Sequence, residues 1–100
     1  MNNKKILVVE DEPALRRILA MDLEASGYDV YEAGDGEAGY ELALEVLPDL
    51  IITDVIMPKM DGNQLLKKMR GTFFGRRIPF LPARQGFTRG EVDCLRISQT

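Results

Sequence analysis

A chain of 100 residues has room for one domain with a single modest core, burying about 60–70% of the surface that its unfolded form exposes. A hydrophobic fraction of 45% and a charged fraction of 29% belong to an ordinary globular domain and exclude a disordered or fibrous chain. With no histidine and one cysteine, Cys94, a zinc site, a His-based nucleophilic triad and an internal disulfide are all excluded, so any metal must be held by oxygen.

No apolar run approaches the roughly 18–20 residues of a membrane-spanning helix, and Met1-Asn2-Asn3-Lys4-Lys5 leads into a strand-sized run rather than a signal peptide, so a cytoplasmic location is expected. The net charge of −3 hides an asymmetry. After Met69 the only acids are Glu91 and Asp93, and every basic residue there is an arginine. Those arginines are scattered and no recognition motif accompanies them, so a nucleic-acid surface is not expected.

Ile6-Leu7-Val8-Val9 is a continuous apolar run suited to a strand buried on both faces, ending at Glu10-Asp11-Glu12. Pro13 then opens a helix in which Leu15, Ile18, Leu19 and Leu23 form the inward stripe, and Gly27 stops it. Val30 to Ala33 reads as a weaker strand and Asp35 as the N-cap of a second helix with Ala38, Leu42 and Val46 inward, which Pro48 terminates. Leu50 to Thr53 is another buried strand, ending at Asp54. Gly62 to Arg70 forms a third helix with Leu65, Leu66 and Met69 inward, and Ile78 to Leu81 a short fourth strand flanked by Pro79 and Pro82. Thr88-Arg89-Gly90-Glu91 matches a capping box for a fourth helix running toward Ile97, with Cys94 as a small buried residue in it. Phe73, Phe74, Phe80 and Phe87 are expected to fill core or interface rather than to stack on bases. Strands alternating with helices imply right-handed crossovers and a parallel sheet covered on both faces.

In such a sheet ligands bind beyond the carboxyl ends of the strands, where both acidic groups fall. Glu10 and Asp11 end the first strand and Asp54 ends the third; neighbouring strands about 4.8 Å apart would bring these carboxylates into one pocket. Three close carboxylates repel one another unless a cation is present, and Mg2+ suits an oxygen-only set shared with phosphate. Asp11 alone could be a helix cap, whereas no helix begins near Asp54, which favours a reactive role there.

The stretches Lys5-Ile6-Leu7-Val8-Val9-Glu10-Asp11-Glu12-Pro13 and Pro48-Asp49-Leu50-Ile51-Ile52-Thr53-Asp54-Val55-Ile56-Met57-Pro58-Lys59-Met60-Asp61-Gly62 resemble the signatures of the response-regulator receiver domain of two-component signalling, a likeness that extends from Lys4 to about Arg70. The resemblance implies a flavodoxin-like, doubly wound parallel α/β sheet and a phosphoacceptor signalling domain rather than an enzyme. It makes Asp54 the phosphoacceptor, Asp11 a direct Mg2+ ligand, Glu10 a ligand acting mostly through water, and the carbonyl of Ile56 a backbone ligand. Pro58 and Gly62 would shape the loop beside the site. The donor would be a phosphohistidine on a sensor histidine kinase or a phosphotransfer protein.

The chain departs from the family in two places. Pro82-Ala83 stands where the family has a Thr or Ser followed by a small residue, and the fourth strand looks short. The fifth strand, the lysine that ends it and the last helix would lie beyond Thr100, so residues 1–100 are expected to form a single truncated receiver of about four strands and four helices instead of five and five, with no effector domain, weakened phosphotransfer and self-association through the uncovered surface. Two other classes compete. A receiver-like interaction module without phosphochemistry is favoured by the absent hydroxyl and lysine, whereas a Mg2+-dependent phosphohydrolase or nuclease would need a second Asp where Ile56 stands.

Overall fold

The computed structural model describes residues 3–53, 62–72 and 77–83. Within them the chain runs β1 (Lys5–Val9), α1 (Pro13–Ala25), β2 (Asp29–Ala33), α2 (Gly36–Val46), β3 (Leu50–Thr53), α3 (Gly62–Arg70) and β4 (Phe80–Pro82). The strands form one parallel sheet in the order β2-β1-β3-β4. The chain steps outward from β1 to β2, returns past β1 to β3, and continues to β4. Because each crossover is right-handed, this reversal puts α1 on one face of the sheet and α2 and α3 on the other.

That layering explains the composition of the central strands. Ile6, Val8, Leu50 and Ile52 pack with Leu19 and Leu23 of α1, while Leu7, Val9 and Ile51 pack with Ala43 of α2 and Leu65 and Met69 of α3. Strands buried on both faces need apolar side chains at every position. Asp49 pins the register of β3 beside β1: its Oδ2 accepts from the Lys5 amide and its own amide donates to the Lys5 carbonyl, both at 2.8 Å.

Local chemistry sets the helix ends. Pro13 supplies the fixed φ of the first turn of α1. Gly27, at φ +98°, closes that helix in the left-handed conformation, with the Gly27 amide on the Glu24 carbonyl and the Tyr28 amide on the Leu23 carbonyl. Asp35 caps α2 as expected, its Oδ1 accepting from the Ala38 amide at 2.8 Å.

Three expectations are corrected. Ile18 is 63% exposed, so the buried stripe of α1 is carried by Ala20 and Leu23 with Leu19 beside them. The fully buried face of α2 is Gly36, Gly39 and Ala43, because the helix sits so close to β1 that only small residues fit there. Leu42 packs partly buried against the same core and Val46 is half-buried, whereas Ala38 is exposed. A Cβ at Gly39 would lie 2.8 Å from Val9 Cγ2. The fourth strand begins at Phe80, not Ile78, and runs through Pro82. Pro79 contributes only its carbonyl, which accepts from the Ile51 amide, and the Ala83 amide donates to the Thr53 carbonyl. Residues 79, 81 and 83 therefore face β3, and the N–H that Pro82 lacks falls on the opposite edge, where a proline is tolerated. Of the phenylalanines, Phe80 packs beside the α2–α3 core; Phe73, Phe74 and Phe87, with the expected fourth helix and Cys94, lie outside the described residues.

The Gly39 contact yields a prediction whose sign depends on magnitudes. An alanine in a helix gains about 1 kcal/mol over glycine, but overpacking against a buried, χ1-restricted valine costs about 1–3 kcal/mol. Gly39→Ala is therefore expected to lower the urea midpoint, and Gly39→Ala combined with Val9→Ala to cost less than the sum of the two single changes.

Candidate functional site

The reversal of strand order lies between β1 and β3, so the cleft beyond their carboxyl ends is where a ligand would sit. β1 delivers Glu10 and Asp11 to it. The Glu10 amide extends the ladder with β2 by donating to the Ala33 carbonyl at 3.0 Å, and the Glu10 side chain is fully buried. Its Oε2 accepts from the Glu12 amide at 3.0 Å, tying the carboxylate into the turn that leads to Pro13. A buried carboxylate is tolerable only with such donors around it. Asp11, next in the chain, is exposed.

On the neighbouring strand Val9 pairs with Thr53, a buried residue, and Thr53 pairs with Pro82 of β4. Asp54 follows Thr53 directly in sequence, but Asp54, Ile56 and Pro58 lie outside the described residues. Gly62 opens α3. Pro82 and the buried Ala83 end β4 beside Thr53. Among the described residues no three acidic, histidine or cysteine side chains gather into a metal-holding group.

Two residues of this region, Arg16 and Glu32, do not stand out in the sequence. Arg16 reads there as part of the polar side of α1. In the structure its Nη1 donates to the Glu10 carbonyl at 2.8 Å, and its Nε lies 3.5 Å from Glu32 Oε1 on β2. The signal available in advance is the position of a long basic side chain in the first turn and a half of a helix that follows an acidic strand end.

Residues 6–85 match the family described as the response regulator receiver domain. The chain belongs to that family. Its receiver is 50% identical over 68 residues to the alkaline phosphatase synthesis transcriptional regulatory protein PhoP of Bacillus subtilis (strain 168), a match covering 68% of this chain and 28% of that regulator. The chain thus spans under a third of that relative's length. In structure the receiver is similar to the chemotaxis protein CheY4 of Vibrio cholerae, with a TM-score of 0.79 at 27% identity, covering 99% of this chain and 83% of that one. It is also similar to the receiver domain of the hybrid histidine kinase CckA, with a TM-score of 0.72 at 38% identity, covering 95% and 99%. The parallel four-stranded sheet with helices on both faces is the flavodoxin-like receiver fold expected from the sequence. Receivers are signalling domains of two-component systems and as a family bind Mg2+ at the phosphorylation site. No helix among the described residues is long and apolar enough to cross a membrane.

The engaged Glu10 carboxylate gives a stability prediction. In metal-free buffer Glu10→Gln, which keeps an oxygen for the Glu12 amide, is expected to stay within about 1 kcal/mol of wild type, while Glu10→Ala loses about 1–3 kcal/mol by leaving the part-buried Glu12 amide without that partner. Urea unfolding in the presence of EDTA reads both.

Proposed function

We propose that this receiver takes a phosphoryl group from a phosphohistidine of a sensor histidine kinase or phosphotransfer protein onto Asp54, in the cytoplasm. The observation that supports this reading is the pairing of Val9 with Thr53, which sets the buried Glu10 and the adjoining Asp11 at a strand end beside the end of β3, with Asp54 following Thr53 in sequence.

In this reading an Asp54 carboxylate oxygen attacks phosphorus in line, the P–N bond to the donor imidazole breaks, and the imidazole departs with the electron pair and takes up a proton. The donor set suits Mg2+: it is all oxygen, and the Glu10 oxygen engaged by the Glu12 amide agrees with a ligand acting through water. Asp11, Asp54 and the Ile56 carbonyl would be the direct ligands, with Pro58 and Gly62 shaping the adjoining loop. Bound there, Mg2+ would offset negative charge on the phosphoryl oxygens as the group moves. The chain's own acids hold the cation, and Asp54 supplies the nucleophile.

A second reading, docking to a partner without phosphochemistry, is favoured by one observation. The strand end beside Thr53 carries Pro82 and Ala83, neither of which can donate a side-chain hydrogen bond to a phosphoryl oxygen. Self-association is part of either reading, through Ile18 and Met21, which stand exposed on α1; light scattering would register it as a mass that rises with concentration.

Incubation with Mg2+ and acetyl phosphate, followed by intact mass, separates the two readings. The phosphoacceptor reading expects a gain of one phosphoryl group in wild type, none in Asp54→Asn and none when EDTA replaces Mg2+. No gain in a folded sample, nor in Pro82→Thr, would leave docking alone as the function.

A further inference from the structure

We propose that Arg16 is a positioning residue for the acidic turn: anchored by Glu32 on β2, its guanidinium fixes the Glu10–Asp11 peptide and thereby sets the direction of the Asp11 carboxylate. The inference rests on the reading of Glu10 and Asp11 as metal-binding groups, and it adds to that site a residue that touches neither phosphoryl group nor metal.

Three hydrogen bonds converge on this short segment. The Glu10 amide is held by the Ala33 carbonyl, the Glu10 carboxylate by the Glu12 amide, and the Glu10 carbonyl by Arg16 Nη1 at 2.8 Å. The first belongs to the sheet and the second to the turn itself. The third acts directly on the peptide plane joining Glu10 to Asp11, and rotation of that plane would swing the Asp11 side chain. A bond from a cationic donor to a carbonyl is among the stronger kinds, and α1 carries this donor on a rigid backbone.

Arg16 is in turn held from behind. Its Nε lies 3.5 Å from Glu32 Oε1, with side-chain exposures of only 22% and 25%, where an ion pair is screened less than at the open surface. The other oxygen of Glu32 accepts from Arg17 Nη1, and Arg17 Nη2 reaches Glu24 Oε1 at 2.7 Å. Gly34 leaves the space that the guanidinium needs: a Cβ there would come within 3.2 Å of Arg16 Nη1. The Arg17–Glu24 end of this chain of charges is about half exposed and contributes little. The Glu32–Arg16–Glu10 end carries the positioning. Arginine suits the task because its planar fork serves a carbonyl and a carboxylate at once, which a lysine ammonium does not do in the same geometry.

The competing explanation is an ion pair that merely fastens α1 to β2. Mg2+ titration of the 15N-labelled protein, with hydrogen exchange of the Asp11 and Glu12 amides, separates the two when applied to wild type, Arg16→Lys, Glu32→Ala, the double variant and Glu24→Gln. Positioning predicts that Arg16→Lys weakens Mg2+ binding about tenfold, the lower end for loss of a ligand-orienting partner. Glu32→Ala weakens it less, adds nothing in the Arg16→Lys background, and Glu24→Gln binds as wild type does. Wild-type Mg2+ affinity in both Arg16→Lys and Glu32→Ala overturns the proposal, whatever their melting temperatures. If wild type itself binds no Mg2+, the metal reading is what fails, and the amides then decide: faster exchange at Asp11 and Glu12 in Arg16→Lys upholds the positioning role, and unchanged exchange overturns it. Glu32→Ala, whose change lies on the edge strand, serves the same comparison should Arg16→Lys not fold.

Discussion

Parallel strands can be joined only by a crossover, and a crossover between right-twisted strands closes compactly in one hand alone. In this chain that constraint acts together with a single reversal of direction, between the step from β1 to β2 and the return to β3. Helices must then cover both faces, which buries Ile6 to Val9 of β1 and all of β3 and leaves their carboxyl ends as the place where polar groups can gather between layers. The burial of Ile6 to Val9 and the exposure of Asp11 one turn later are two consequences of the same topology.

The electrostatics of that corner follow from its geometry. Placing Glu10 at the end of an apolar strand removes its carboxylate from water, a step worth several kcal/mol unless donors replace the lost hydration. The Glu12 amide donates to that carboxylate, the Ala33 carbonyl accepts from the Glu10 amide, and Arg16 brings a positive charge to the Glu10 carbonyl. The Glu10 carboxylate is thus tied into the turn that leads to Pro13 by the protein's own backbone. β2, the outermost strand on that side, takes part through Glu32 although it carries none of the candidate ligands.

How far the sequence foretells this depends on which physical signal each element emits. β1 and β3 are legible because two-sided burial demands unbroken apolar runs, and α1 and α2 because Pro13, Gly27, Asp35 and Pro48 mark their ends. The orientation of α2 is not, since the eye follows large apolar residues while the closest approach to β1 is made by Gly39 and Ala43. Ile18 misleads for the converse reason: a large apolar residue at helical spacing can still face water. For the site, Glu10 and Asp11 are legible from their place at a strand end. Arg16 is not, because a side chain of its length reaches back across the first turn of its own helix to a backbone atom, and no periodicity reports that. Asp54, Ile56 and Pro58 rest on the sequence, being outside the described residues.

The orientation of Pro82 has a consequence for misfolding. A strand edge with a full row of donors and acceptors is a template for another chain, the first step toward a cross-β stack. On the side of β4 turned away from β3, the row is interrupted at Pro82, where no hydrogen is available and the ring occupies the space a pairing backbone would need. Among the described residues β4 is the outermost strand on that side, and a strand paired to it would meet a missing rung within three residues. Pro82 thus acts as a gatekeeper on that side of a short apolar segment.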